Sequence, residues 1–206
     1  MVTWGMIVVG IVAAAVLSVP GLWPAIAVVA LIQVQILLDC ADGELARWRE
    51  QFSPAGIYLD RFGHYLTETL LPIGLGIRAD GGWDSIGTYT TLGLLAAVLA
   101  LMVRTESALV AVARMESGKG AAEDTVAVAA PRASWLARLR RALGFFPFFR
   151  AFVAIEMSLL VLAAAVVDAL ADGSPGTRTL VVVLVPVAAI TAVGHLLAIL
   201  ASSRLR

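Results

Sequence analysis

Leu38-Asp39-Cys40-Ala41-Asp42-Gly43-Glu44-Leu45-Ala46-Arg47 is a polar run set in apolar sequence, and it continues at wider spacing through Gly56 and Asp60 to His64. Its flanks read as membrane spans, where ionisable groups are costly and by default mark function. On a helix Asp39 and Asp42 are three residues apart and share a face. Asp60 and His64 are four apart on the next helix, and the turn between the helices brings them back toward the first pair. Three carboxylates and an imidazole are therefore expected to converge at one membrane depth. Without a counter-charge such a cluster repels itself and is costly to desolvate. Hard divalent cations such as Mg²⁺ or Mn²⁺, which favour oxygen ligands, relieve it. Gly43 and Ala46 are small and leave room for a bulky ligand near the backbone; Arg47 can hold a phosphate.

Working outward, the chain is 60% hydrophobic with a mean hydropathy of +0.92, well above the roughly 45–50% apolar content of soluble domains. It reads as an all-α integral membrane protein. Formal net charge is zero, so no global field points to nucleic acid. The single cysteine excludes an internal disulfide, and Cys40 is expected to be a small residue in a packed helix.

Six spans are expected, over residues 2–19, 22–46, 55–77, 86–104, 149–169 and 179–202, in one domain covering 1–206. Ser53 before Pro54 is a helix-start signal, so the second and third spans should form an antiparallel hairpin. Asp60, His64 and Glu68 share one stripe of the third span, with Glu68 expected to pair with a neighbour. Pro72, Gly74 and Gly76 should loosen its far half into a kink. Glu156 is expected to face the same polar cavity, and His195 to be packed or hydrogen-bonded rather than a ligand.

A basic loop spans about residues 114–148, with a mobile stretch at Gly118–Ala133 and a basic amphipathic helix at Ser134–Leu143 that sets Trp135 and Leu136 toward lipid. Basic residues gather there, after the second span and at Arg204 and Arg206, whereas Asp80, Asp84, Asp168 and Asp172 lie in the opposite connections. The positive-inside rule then puts both termini and the Asp39–His64 cluster on the cytoplasmic side, within reach of a cytosolic nucleotide.

The polar stretch resembles the signature of the CDP-alcohol phosphotransferase family, Asp-x2-Asp-Gly-x2-Ala-Arg-x8-Gly-x3-Asp-x3-Asp. Asp39, Asp42, Gly43, Ala46, Arg47, Gly56 and Asp60 match it; His64 stands where the family has its last Asp. The resemblance implies a six-helix membrane bundle, usually a homodimer. It implies two Mg²⁺ or Mn²⁺ ions held by Asp39, Asp42 and Asp60 that clamp the pyrophosphate of a CDP-linked donor such as CDP-diacylglycerol. It also implies a donor-binding surface at Gly43, Ala46, Arg47 and Gly56, and transfer of a substituted phosphate to an alcohol with release of CMP, as in phospholipid synthesis in a bacterial plasma membrane. Family members usually carry a short amphipathic helix before the first span, and none is readable here. Asp60 and His64 fall at the catalytic positions. An imidazole there can be the general base, a nitrogen ligand to a metal, or the mark of a pseudoenzyme that binds nucleotide and metal. A metal transporter is the other class open to intramembrane carboxylates; against it, they cluster near one face with no matching set at the other.

Overall fold

The computed structural model describes residues 2–50, 53–118, 148–171 and 173–201. The Gln51-Phe52 connection, most of the basic loop with the expected Ser134–Leu143 helix, Asp172, Arg204 and Arg206 lie outside the described residues. The described residues are helical throughout, in six α-helices: α1 (Val2–Leu17), α2 (Leu22–Trp48), α3 (Pro54–Asp80), α4 (Thr88–Glu116), α5 (Ala154–Leu170) and α6 (Pro175–Ala201). Short 3-10 turns at Trp83–Ser85 and Phe148–Phe152 precede α4 and α5, so the fifth helix begins a few residues later than the expected span.

Among the described residues α2, α4 and α6 are long and apolar enough to cross a membrane. At about 1.5 Å per residue, each exceeds a hydrocarbon core of about 30 Å. Their outward side chains include Leu37, Val98 and Ile190, all exposed; on helices of this length such apolar surface suits lipid. The chain is an integral membrane protein.

Local chemistry sets the helix ends. Ser53 caps α3, its hydroxyl accepting from Gly56 N at 3.0 Å with Pro54 in the first turn. At the other end Gly81, in the left-handed region, closes a double turn with Gly82 N donating to Ile77 O at 2.9 Å. Asp80 then caps the following helix, accepting from the backbone N–H groups of Gly87 and Thr90 and from the Thr90 hydroxyl at 2.7–2.9 Å. Asp168 does the same for α6, accepting from Gly176 N at 2.7 Å and from the Thr177 hydroxyl.

The helix α1 packs against both α2 and α3, while α3 leans on α4 and α4 on α6. The core between them holds Met6, Leu17, Ile32, Leu71, Leu75 and Met157, all fully buried. The expected hairpin is therefore not a close pair: α1 lies against both of its arms. Pro72 lies inside a helix that runs on to Asp80, and Gly74 and Gly76 are contact surfaces for the neighbouring helices. A Cβ on Gly74 would lie 2.5 Å from Ala14 O, and one on Gly76 2.5 Å from Tyr89 O. These glycines let α1 and α4 approach the backbone of α3, as small residues do between membrane helices. Cys40 is exposed, which corrects its expected packed position.

Arg78, buried at 3% exposure, ties this end of the bundle together. It donates to Val19 O at 2.8 Å, Gly21 O at 2.7 Å and the Thr177 hydroxyl at 3.4 Å, joining the α1–α2 turn to α3 and α6. Burial alone would raise the pKa of Asp80. Hydrogen bonds from the Thr90 hydroxyl and from the N–H groups of Thr90, Gly87 and Tyr89 outweigh it and hold the value below the ordinary 3.8. Because the folded value lies below the unfolded one, the stabilisation is complete above about pH 4 and is lost as pH falls through the folded value. Asp80→Ala should lower stability by about 1–2 kcal/mol at pH 7. In thermal unfolding followed in lipid nanodiscs, the gap to the wild type should narrow as the pH drops below that range.

Candidate metal centre

The last turns of α2 carry Asp39 and Asp42, and the first turns of α3 carry Asp60 and His64. Nε2 of His64 lies 3.3 Å from Asp39 Oδ1 and 3.5 Å from Asp60 Oδ1. One donor atom from each of the three residues lies within 4.8 Å of the others. Their side chains are 34–44% exposed, open enough for a ligand to reach. Two carboxylate oxygens and one imidazole nitrogen at this spacing fit the ligand chemistry of a divalent ion.

Asp42 stands apart from that triad. Its Oδ2 accepts from the Thr3 hydroxyl of α1 at 2.6 Å, and Thr3 is itself nearly buried. Sequence spacing could place Asp42 on the Asp39 face but could not show that a third helix holds it. The available signal was a hydroxyl at the start of a purely apolar span, at the depth α1 shares with the end of α2.

The other motif residues are arranged around this centre. Arg47 pairs with Glu44 at 2.8 Å, both largely exposed. Its guanidinium lies over Gly43, about where a larger side chain would meet it at 3.6 Å. That is an ordinary van der Waals distance, so the exposed Arg47 head group borders the space above Gly43. Ala46 is half-buried one turn from Asp42, and Gly56 belongs to the Ser53 cap.

One turn deeper lies a polar layer. Gln35 Nε2 donates to the Thr67 hydroxyl at 2.7 Å across α2 and α3, both residues buried. Gly10 of α1 faces this bond; a Cβ there would stand 2.7 Å from Gln35 Nε2 and closer still to the Thr67 oxygen. Glu68, 6% exposed, receives Arg104 in a two-pronged ion pair, with Nε donating to Oε2 at 2.6 Å and Nη2 to Oε1. Glu68 is therefore paired, as expected, and Arg104 is the partner that spacing along α3 could not name. Glu156 does not join the triad: Arg150 Nε donates to it at 2.8 Å. His195 is hydrogen-bonded to the Ser107 hydroxyl at 2.9 Å, in keeping with a structural histidine.

The Thr3 contact gives a direct test. The motif resemblance implies that Asp42 is a further metal ligand, and hydrogen-bond partners of such carboxylates commonly contribute about 10–100-fold to affinity. Thr3→Val should weaken Mn²⁺ binding within that range, whereas Thr3→Ser, which keeps the hydroxyl, should restore most of it. Free Mn²⁺ counted by its solution EPR signal reads the difference.

Compared with protein-family models, curated proteins and solved structures, the chain has no match. What it does must be judged from its motif and from the geometry of this centre.

Proposed function

We propose that the protein is a metal-dependent phosphotransferase of the CDP-alcohol type. It would move a substituted phosphate from a CDP-linked donor, CDP-diacylglycerol foremost, to an alcohol and release CMP during phospholipid synthesis. The observation that carries this proposal is the meeting of Asp39, Asp60 and His64, three positions of one spaced motif, at a single half-exposed point between two helices.

All six helices cross the membrane in this proposal. The α3 helix holds Asp60, Arg61, His64, Glu68, Arg78 and Asp80; Glu68 and Arg78 are satisfied internally, Asp60, Arg61 and His64 lie within its first three turns, and Asp80 is its last residue. Such pairing is what ionisable groups inside a bilayer require. The positive-inside distribution puts the motif at the cytoplasmic face of a bacterial plasma membrane. A homodimer is the proposed assembly.

Asp39, Asp42 and Asp60 would hold Mg²⁺ or Mn²⁺, two ions in the full set. A bound divalent ion supplies charge stabilisation to the pyrophosphate and to the departing CMP. The acceptor hydroxyl oxygen attacks the phosphorus that carries the alcohol moiety. A new P–O bond forms, the P–O bond to CMP breaks, and CMP leaves with the bridging oxygen. Asp60 and His64 are the groups at hand for the proton of that hydroxyl. Arg47, tethered at the rim by Glu44, can exchange that partner for a phosphate oxygen and neutralise its charge. Gly43, Ala46 and Gly56 would line the approach of the cytidine.

CMP release from CDP-diacylglycerol, measured in lipid with a panel of polar alcohols and with or without Mg²⁺ or Mn²⁺, tests the proposal. Release should require the divalent ion and should fall by about 10²–10³-fold in Asp60→Ala. No release with any acceptor, together with activity gained in His64→Asp, would instead mark a nucleotide and metal binder built on an enzyme's frame.

A further inference from the structure

His64 stands where a carboxylate would complete the motif, and its geometry separates two roles that the sequence leaves open. A general base must turn its free nitrogen toward the hydroxyl it deprotonates. Here Nε2 lies 3.3 Å from Asp39 Oδ1 and 3.5 Å from Asp60 Oδ1, so that it is itself one corner of the ligand triangle. A tetrahedral zinc ion with bonds of about 2.0–2.1 Å sets neighbouring ligands about 3.3–3.4 Å apart, which the Asp39 edge meets and the Asp60 edge slightly exceeds. Asp42 lies outside this triangle, its Oδ2 accepting from Thr3 at 2.6 Å and its other oxygen left for a second ion. Three protein ligands with a fourth position left for water or substrate is the arrangement of catalytic rather than structural centres.

The donor set also carries a preference. Replacing a carboxylate by a neutral imidazole removes one negative charge and adds a nitrogen ligand. Mg²⁺ takes oxygen ligands and binds imidazole poorly, whereas nitrogen suits first-row transition ions, with affinity rising from Mn²⁺ through Co²⁺. We propose that His64 is a metal ligand through Nε2, making Asp39, Asp60 and His64 a mixed oxygen–nitrogen centre that takes Mn²⁺, Co²⁺ or Zn²⁺ in preference to Mg²⁺. The inference rests on the phosphotransferase proposal for its use, though not for its geometry. A nitrogen engaged in this way does not receive the acceptor's proton, which passes instead to the second carboxylate oxygen of Asp60.

The experiment is pulsed EPR of Mn²⁺ bound to the full chain in lipid nanodiscs, read for nitrogen coupling to the ion, beside competition of Mg²⁺ against Mn²⁺. The chain has two histidines, so His195→Gln serves as the control. The expected result is nitrogen coupling in the wild type and in His195→Gln, and its loss in His64→Asp. That variant should also shift the preference toward Mg²⁺ by at least about tenfold. Bound Mn²⁺ without nitrogen coupling in the wild type, an unchanged preference in His64→Asp, or no Mn²⁺ binding at all would each overturn the inference. The wild-type spectrum alone decides the matter should His64→Asp fail to fold. CMP release without nitrogen coupling would remove the ligand role and leave the transferase standing; nitrogen coupling without CMP release from any donor would do the reverse.

Discussion

The site depends on α1 being wedged against both α2 and α3. Those two helices carry the motif, yet they meet mainly through side chains rather than by close backbone packing. The buried bond from Gln35 to Thr67 bridges them, and Gly10 of α1 is the only kind of residue that fits beneath it. A buried amide and hydroxyl in a bilayer-spanning bundle must find each other, because no water replaces the lost partner. That requirement fixes the relative register of the two helices. Asp39 lies one turn beyond Gln35, and His64 one turn before Thr67, so the bridge brings the imidazole to the carboxylate. The same helix supplies Thr3 to Asp42, which makes α1 part of the site as well as its support.

The two ends of the bundle use polar groups differently. At the end away from the motif, Asp80, Asp168 and Arg78 are engaged by helix N-termini and turn carbonyls. These groups close the ends of helices that would otherwise leave orphan backbone atoms. At the motif end, Asp39, Asp60 and His64 face one another half-exposed, and Arg47 is held only by a surface partner. Polar groups fully used by the fold stabilise it; those left half-used are free to bind. The Glu68–Arg104 pair lies between these regimes, buried on its acidic side and open on its basic side.

Much of this was legible in the sequence because it is written along single helices. The six helical stretches follow hydropathy, the start of α3 follows from Ser53 and Pro54, and the shared face of Asp60 and His64 follows from a four-residue spacing. What spacing along one helix does not specify is how that helix is rotated against its neighbours. That is why Thr3 was not foreseen as the partner of Asp42, nor Arg104 as that of Glu68, and why Cys40 beside Asp39 turns outward. The contacts of Gly74 and Gly76 are unreadable for the same reason. Their nearness to Pro72 speaks only of a kink, whereas the carbonyls of Ala14 and Tyr89 against them belong to other helices. Glu156 pairs with Arg150 a short distance back in the chain, a partner that depth alone does not name.

In the proposed reaction the Asp39–Asp60–His64 cluster holds a divalent ion and, through it, a nucleoside diphosphate. Calorimetric titration of CDP into the full chain in lipid nanodiscs, with and without Mn²⁺, tests it most directly. The expected result is binding that requires Mn²⁺ and is lost in Asp39→Asn. CDP binding of equal strength without any divalent ion, or retained in Asp39→Asn, or absent while Mn²⁺ is bound, would contradict it.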